Sequence, residues 1–180
     1  RMKSEEKSVL GRKPAAVLSR FVSEAQSSLV TLSQSVHNRE LDAATALLAK
    51  ARDIYLLGLG GSFPVATHLA YVLRKLGRRV VLLDGLGGSI HEQSHAATSE
   101  DALVAISFRN YYPDTARLFP ELVARRVPAI SITDSLLSPI VEGASVVFEI
   151  QDMPEPALRT LVAPMCLVQA LAIGLDLSSD

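Results

Sequence analysis

At 180 residues the chain has the length of one domain, or at most one and a half. Its 48% hydrophobic content fills a sizeable core, and 18 basic against 19 acidic side chains exclude a disordered acidic tail and a basic grip on nucleic acid. With 5% aromatics, no Trp and one cysteine, Cys166, the composition excludes a stacking platform for single strands, a disulfide framework and a multi-cysteine zinc module.

Residues 1–14 read as a solvated linker, since Arg1–Lys13 mixes Lys, Arg, Glu and Ser without the apolar core of a signal peptide. A start at Arg1 rather than Met fits a domain cut from a longer chain. Residues 15–180 then form the domain. In Ala15–Val36, Val17, Phe21, Ala25, Leu29 and Leu32 recur at helical spacing. Asn38 stands as an N-cap before a second helix carrying Leu41, Ala44, Leu48 and Ala51.

From Ile54 the texture changes to short apolar runs, at Ile54–Leu57, Val80–Leu83, Ala102–Ile106, Ala129–Ile132 and Val146–Ile150. Helical patterns lie between them at Val65–Leu76, Ile90–Ala97, Thr115–Arg125 and Leu136–Glu142, and a last helix covers Thr160–Leu175. That last stretch is shorter than the roughly 20 residues of a membrane span and is interrupted by Pro164 and Gln169. It is apolar around much of its circumference, which predicts burial in a core or, by preference, a dimer interface. Cys166 within it reads as a small buried hydrophobe, and His37 and His68 as surface or packing residues.

Continuous apolar strands alternating with helices imply an α/β domain, a doubly wound five-stranded parallel sheet between two layers of helices, preceded by two further helices. Ligands of such sheets bind at the carboxyl ends of the strands, near the point where the strand order reverses. The loops after Leu57, Leu83, Ile106 and Ile132 are therefore the places to look.

Gly58-Leu59-Gly60-Gly61-Ser62 follows the first strand and opens a helix. Glycines there let a ligand approach the backbone, and a helix N-terminus offers N–H groups and partial positive charge to an anion. Ser62 adds a hydroxyl, either to a ligand or as a cap of the helix. A dinucleotide fingerprint needs a third glycine, and Phe63 stands in its place, although Asp84 is positioned as a ribose-binding acid would be. No Lys-Ser/Thr pair follows, so this is not a nucleoside-triphosphate loop. No cofactor is expected.

The third strand runs out through Ser107, Arg109, Asn110, Tyr111 and Tyr112 to Pro113 and Thr115. Arg109 either clamps a phosphate through two parallel hydrogen bonds or projects into solvent, and a Tyr ring offers a face to a sugar. Asn110 and the hydroxyls of Ser107 and Thr115 complete the candidate set.

His91-Glu92-Gln93-Ser94-His95 matches H-E-x-x-H, the helical pair of zinc ligands with a general base between them. No downstream His pattern supplies a third ligand, so no metal is expected. Glu92 or His95 is instead a candidate base for moving a proton between neighbouring sugar carbons, or a contact to sugar hydroxyls without chemistry.

Gly58-x-Gly60-x-Ser62, Ser107 at the end of the third strand, Ile132-Thr133-Asp134 and Ser138-Pro139 resemble the sugar isomerase (SIS) domain from about Ala44 to Leu175. The resemblance implies a flavodoxin-like fold, a dimer or tetramer, and a sugar phosphate or related anionic sugar as ligand. The family's phosphate loop is S-x-S-G-x-T. Here Ser107 keeps the first position, while Arg109, Asn110 and Tyr112 replace the second Ser, the Gly and the Thr. Within the family the chain is most similar to the C-terminal sensor domain of RpiR-type transcriptional regulators. That implies a cytoplasmic, non-enzymatic protein, without a membrane partner, that meets DNA through an N-terminal helix-turn-helix domain absent from this sequence. A stand-alone phosphosugar isomerase, such as a hexulose-phosphate isomerase, is the alternative.

Overall fold

A computed structural model of the protein describes residues 14–151 and 160–177, so the predicted linker at 1–14 lies outside the described residues except for Pro14, which opens the first helix. Two helices lead, α1 (Pro14–Ser35) and α2 (Asn38–Lys50). Strand β1 (Ile54–Leu57) follows, then α3 (Phe63–Lys75), β2 (Val80–Leu82) and the short α4 (Ile90–His95). The chain continues through β3 (Ala102–Ile106), α5 (Pro113–Ala124), β4 (Ala129–Thr133), β5 (Val146–Glu149) and α6 (Val162–Leu177). Two single-turn 3-10 helices, Gly60–Ser62 and Leu86–Gly88, sit in the loops after β1 and β2.

All five strands pair in parallel in the order β2-β1-β3-β4-β5. Successive side chains point to opposite faces of a strand, and here both faces are covered. Ile54, Leu56, Val104, Ile106, Ile130 and Phe148 pack under α1, α2, α3 and α6. Tyr55, Leu57, Leu103, Ala105 and Ala129 pack under α4 and α5. This is the predicted three-layer fold, and burial on both faces is why the central strands β1 and β3 read as unbroken apolar runs. Each buried Leu, Ile or Phe contributes about 1.5–3 kcal/mol by transfer out of water.

Four local expectations change. Asn38 is the first residue of α2 rather than its cap; His37 holds the cap position in extended backbone with no side-chain cap bond. Residues 136–142 form successive turns instead of a helix, with bonds from Ser138 N to Ser135 O, Val141 N to Ser138 O and Ala144 N to Val141 O. Pro139 cannot donate the bond a helix would need there, and the Ser131 hydroxyl draws the Ile140 carbonyl to β4.

The apolar stripe of α6 is taken up inside its own chain, because Ala163, Leu167, Val168, Leu171 and Leu175 are buried against α1, α2 and α3. Cys166 is the exception to its predicted burial: it lies on the outer face of α6 and is exposed. Among the described residues no helix is long and apolar enough to cross a membrane.

The amino ends of β1, β2 and β3 are tied by ions. Arg52 bonds Asp101 at 3.0 Å and Glu100 at 3.0 Å, and Arg79 bonds Asp53 at 2.7 Å. The Asp101 side chain is fully buried and also accepts from the backbone N–H and the hydroxyl of Thr98. Burial would raise its pKa, but the Thr98 bonds and the Arg52 charge outweigh that and hold it below the usual carboxylate range.

Candidate functional site

Strand order reverses between β1 and β3, so the crevice at the carboxyl edge opens between the loops that follow these two strands. The first loop is shaped by close approach. A Cβ on buried Gly58 would meet the Cβ of Ala66 at 3.0 Å and the Ser62 carbonyl at 3.2 Å, so only glycine lets α3 start this near β1. The turn then closes on itself, with Ser62 N donating to Leu59 O and Phe63 N to Gly60 O. Gly60 takes φ +57° and is exposed, as is Gly61. Ser62 is buried at the start of α3 and makes no side-chain cap bond.

The second loop leaves β3 with Ser107 buried, its N–H on the Ile132 carbonyl. Arg109 and Asn110 are both exposed. Asn110 adopts φ +68°, the left-handed region that Asn tolerates better than other non-glycine residues. That reversal sends the chain back so that the Arg109 N–H donates to Asp134 Oδ2 at 2.8 Å and the Tyr111 hydroxyl to Asp134 Oδ1 at 3.1 Å. Burial, and then the Asp134 charge, push the Tyr111 hydroxyl above its ordinary pKa. Tyr112 turns the other way: a Cβ on Gly60 would lie 2.9 Å from its ring. The two loops therefore touch.

Thr115 lies in the first turn of α5, fully buried, and its hydroxyl has no hydrogen-bond partner. Thr133, next to Asp134, is in the same condition. Asp84 is absorbed by its own loop, where Oδ1 accepts from Leu86 N at 2.9 Å and Gln93 Nε2 at 2.8 Å. These bonds, that from Gln93 foremost, lower its pKa.

The H-E-x-x-H segment forms α4, a helix of six residues with His91, Glu92 and His95 exposed. Arg117 Nη1 donates to His91 Nε2, and Arg125 donates to the carbonyls of Ser94 and His95 at 2.7 and 2.9 Å. His95 thus sits beside the C-terminal end of α5, about 15 Å of helix from the loop at its N-terminus. Among the described residues no three His, Cys, Asp or Glu side chains are grouped to hold a metal ion.

The structure brings the two loops together through Gly60 and Tyr112, with Gly58, Ser62 and Ser107 buried and Gly60, Gly61, Arg109 and Asn110 exposed, while the His95 carbonyl is tied to Arg125 at the other end of α5. Sequence reasoning missed Asp134 as the residue that holds the second loop. Nothing local signals it, because its partners lie 25 and 23 positions away.

A family model described as the SIS domain matches residues 47–174, well over half of the chain. The chain belongs to the SIS domain family. This SIS domain is 29% identical over 111 residues to an uncharacterized HTH-type transcriptional regulator of Haemophilus influenzae, a match covering 61% of the chain and 38% of the relative's length. The fold is shared with the sugar isomerase domain of an RpiR transcription factor from Sphaerobacter thermophilus, at TM-score 0.81 and 21% identity, covering 93% and 92% of the two chains. It is shared too with the Vibrio vulnificus NanR protein complexed with ManNAc-6P, at TM-score 0.78 and 20% identity, over 90% of this chain and 62% of that one. Structures titled as sugar-phosphate isomerases also match.

Against the S-x-S-G-x-T pattern of SIS domains, Asn110 at φ +68° keeps the backbone turn that glycine usually provides. What this SIS domain changes is the chemistry on that turn, an arginine for a serine and a tyrosine for a threonine.

Proposed function

We propose that this SIS domain is the effector-sensing part of an RpiR-type transcriptional regulator, and that its effector is a sugar phosphate or a related anionic sugar. The observation that carries this reading is the meeting of two loops at the reversal point of the sheet. The ring of Tyr112 lies against Gly60, and Arg109, three residues earlier on the second loop, is an exposed cation. The regulator of Haemophilus influenzae and the NanR complex with ManNAc-6P support the class of protein and of ligand.

Arg109 pairs with the anionic group, the loop backbone fixes its orientation, and the sugar lies against the exposed part of Tyr112. The protein acts in the cytoplasm as a homodimer or tetramer, and reaches DNA through an N-terminal domain outside this chain. A ligand favouring one arrangement of the subunits shifts the spacing of those DNA-binding heads by population shift. No proton transfer is required of the site: His95 lies beside the far end of α5, and the His91 ring is engaged by Arg117.

Thermal unfolding against a panel of sugar phosphates, ManNAc-6P included, tests the reading. Ligand at 100 times its Kd stabilises by about 2.7 kcal/mol, which raises the Tm of a domain this size by roughly 5–10 °C. Arg109→Ala is expected to abolish the shift. A shift that survives Arg109→Ala moves the ligand elsewhere, and turnover of a ketose phosphate that is lost in Glu92→Gln replaces sensing by isomerisation.

A further inference from the structure

The second loop arrives with a carboxylate already on its donors. Asp134 Oδ2 takes the Arg109 N–H at 2.8 Å and Oδ1 takes the Tyr111 hydroxyl at 3.1 Å. An anion bound on this loop would seek the same N–H, since a backbone amide in a reversed turn is what such loops present to phosphate oxygens. Asp134 also places a negative charge beside Arg109, the cation expected to clamp that anion.

A second feature agrees. Two hydroxyls flanking this arrangement, Thr115 Oγ1 at the end of the loop and Thr133 Oγ1 beside Asp134, are buried without a hydrogen-bond partner. Buried polar groups are normally paired, so the arrangement with Asp134 on the loop leaves hydrogen-bonding capacity unmet on both sides.

We propose that Asp134 is a resident anion of the ligand-binding loop and a determinant of specificity: a ligand's anionic group must displace or outcompete its carboxylate for the Arg109 N–H. The inference rests on the sensing site proposed above. Its consequence is selection by charge. The anionic group of a sugar phosphate meets a penalty set by Asp134 that the uncharged part of the ligand does not meet.

Titration calorimetry of the full chain with ManNAc-6P and with unphosphorylated ManNAc tests this, using Asp134→Asn and Tyr111→Phe. The amide keeps an acceptor for the Arg109 N–H but removes the charge. Asp134→Asn is expected to bind ManNAc-6P about tenfold more tightly than the wild-type chain, the factor that about 1.4 kcal/mol of relieved repulsion represents, and to leave ManNAc unchanged. Tyr111→Phe, which loosens the loop and keeps the charge, is expected to change either affinity by less than about threefold.

Equal or weaker binding of ManNAc-6P by Asp134→Asn, or a gain in Tyr111→Phe as large as in Asp134→Asn, overturns the proposal and leaves Asp134 as a loop support. If no sugar phosphate of the panel, ManNAc-6P included, binds the wild-type chain or Asp134→Asn, the sensing site itself falls, and this inference with it. Asp134→Ser carries the same comparison if the amide variant does not fold.

Discussion

A methyl group is enough to probe the crevice. At Gly60 it would be built on a backbone at φ +57° and would meet the Tyr112 ring at 2.9 Å, whereas at neighbouring Gly61 it would meet nothing within 4 Å. Gly60→Ala is therefore expected to destabilise the fold by about 1–2 kcal/mol and to weaken sugar-phosphate binding, because it pushes the second loop away from the first. Gly61→Ala is expected to stay within about 0.5 kcal/mol of the wild type in chemical denaturation. The sequence alone marks both glycines, since a glycine run between a strand and a helix is a local pattern. It does not tell them apart, because the difference lies in a ring 52 residues further along the chain. Asp134 escaped for the same reason. Arg109 and Asn110 were legible as polar residues leaving a strand, but the left-handed turn at Asn110 and the carboxylate that receives it are properties of the folded loop.

Helices were harder to read than strands. The five apolar runs fall within one residue of the observed strands, and β1 and β3, buried at every position, match at both ends. Residues 136–142 misled because Leu136, Leu137 and Ile140 fit a helical stripe. Leu136 and Leu137 are in fact 60% and 94% exposed on successive turns, and Ile140 alone of the three is buried. α6 shows the converse problem. It is so evenly apolar that its sequence does not say which side faces the core, and Cys166 was assigned to the wrong one. Its exposed face carries Val162, Cys166, Ile173 and Leu177. A thiol reagent such as DTNB is accordingly expected to label Cys166 in the native protein within minutes and without denaturant. Labelling that requires unfolding would show that this face is covered.

Over the whole molecule the two ends of the sheet carry different work. The carboxyl edge holds the loops proposed to bind the effector, while the amino edge holds the Arg52, Asp53, Arg79, Glu100 and Asp101 ion network that binds three strands together. Asp101 is held below its ordinary pKa by Thr98 and Arg52 against the opposing effect of burial. A carboxylate with a depressed pKa in the folded state contributes stability above its unfolded pKa, about 3.9, and loses it as pH falls through the folded value. Stability measured by denaturation is expected to decline below about pH 4, and Asp101→Asn to be less stable at pH 7 with a flatter acid limb. Effector affinity at neutral pH is expected to be unchanged in that variant, since distant sites act independently. α1 has a mechanical consequence of its own. Its 22 residues form one continuous rod, yet its buried residues are Ser28 and Leu32, in its second half. About 20 Å of helix thus runs ahead of the first buried anchor, so a 10° tilt where α1 rests on α6 would sweep its leading turn by about 3.5 Å. Such a rod is a lever arm: angstrom-scale repacking around the sheet becomes a displacement large enough to move whatever the chain's amino-terminal side carries.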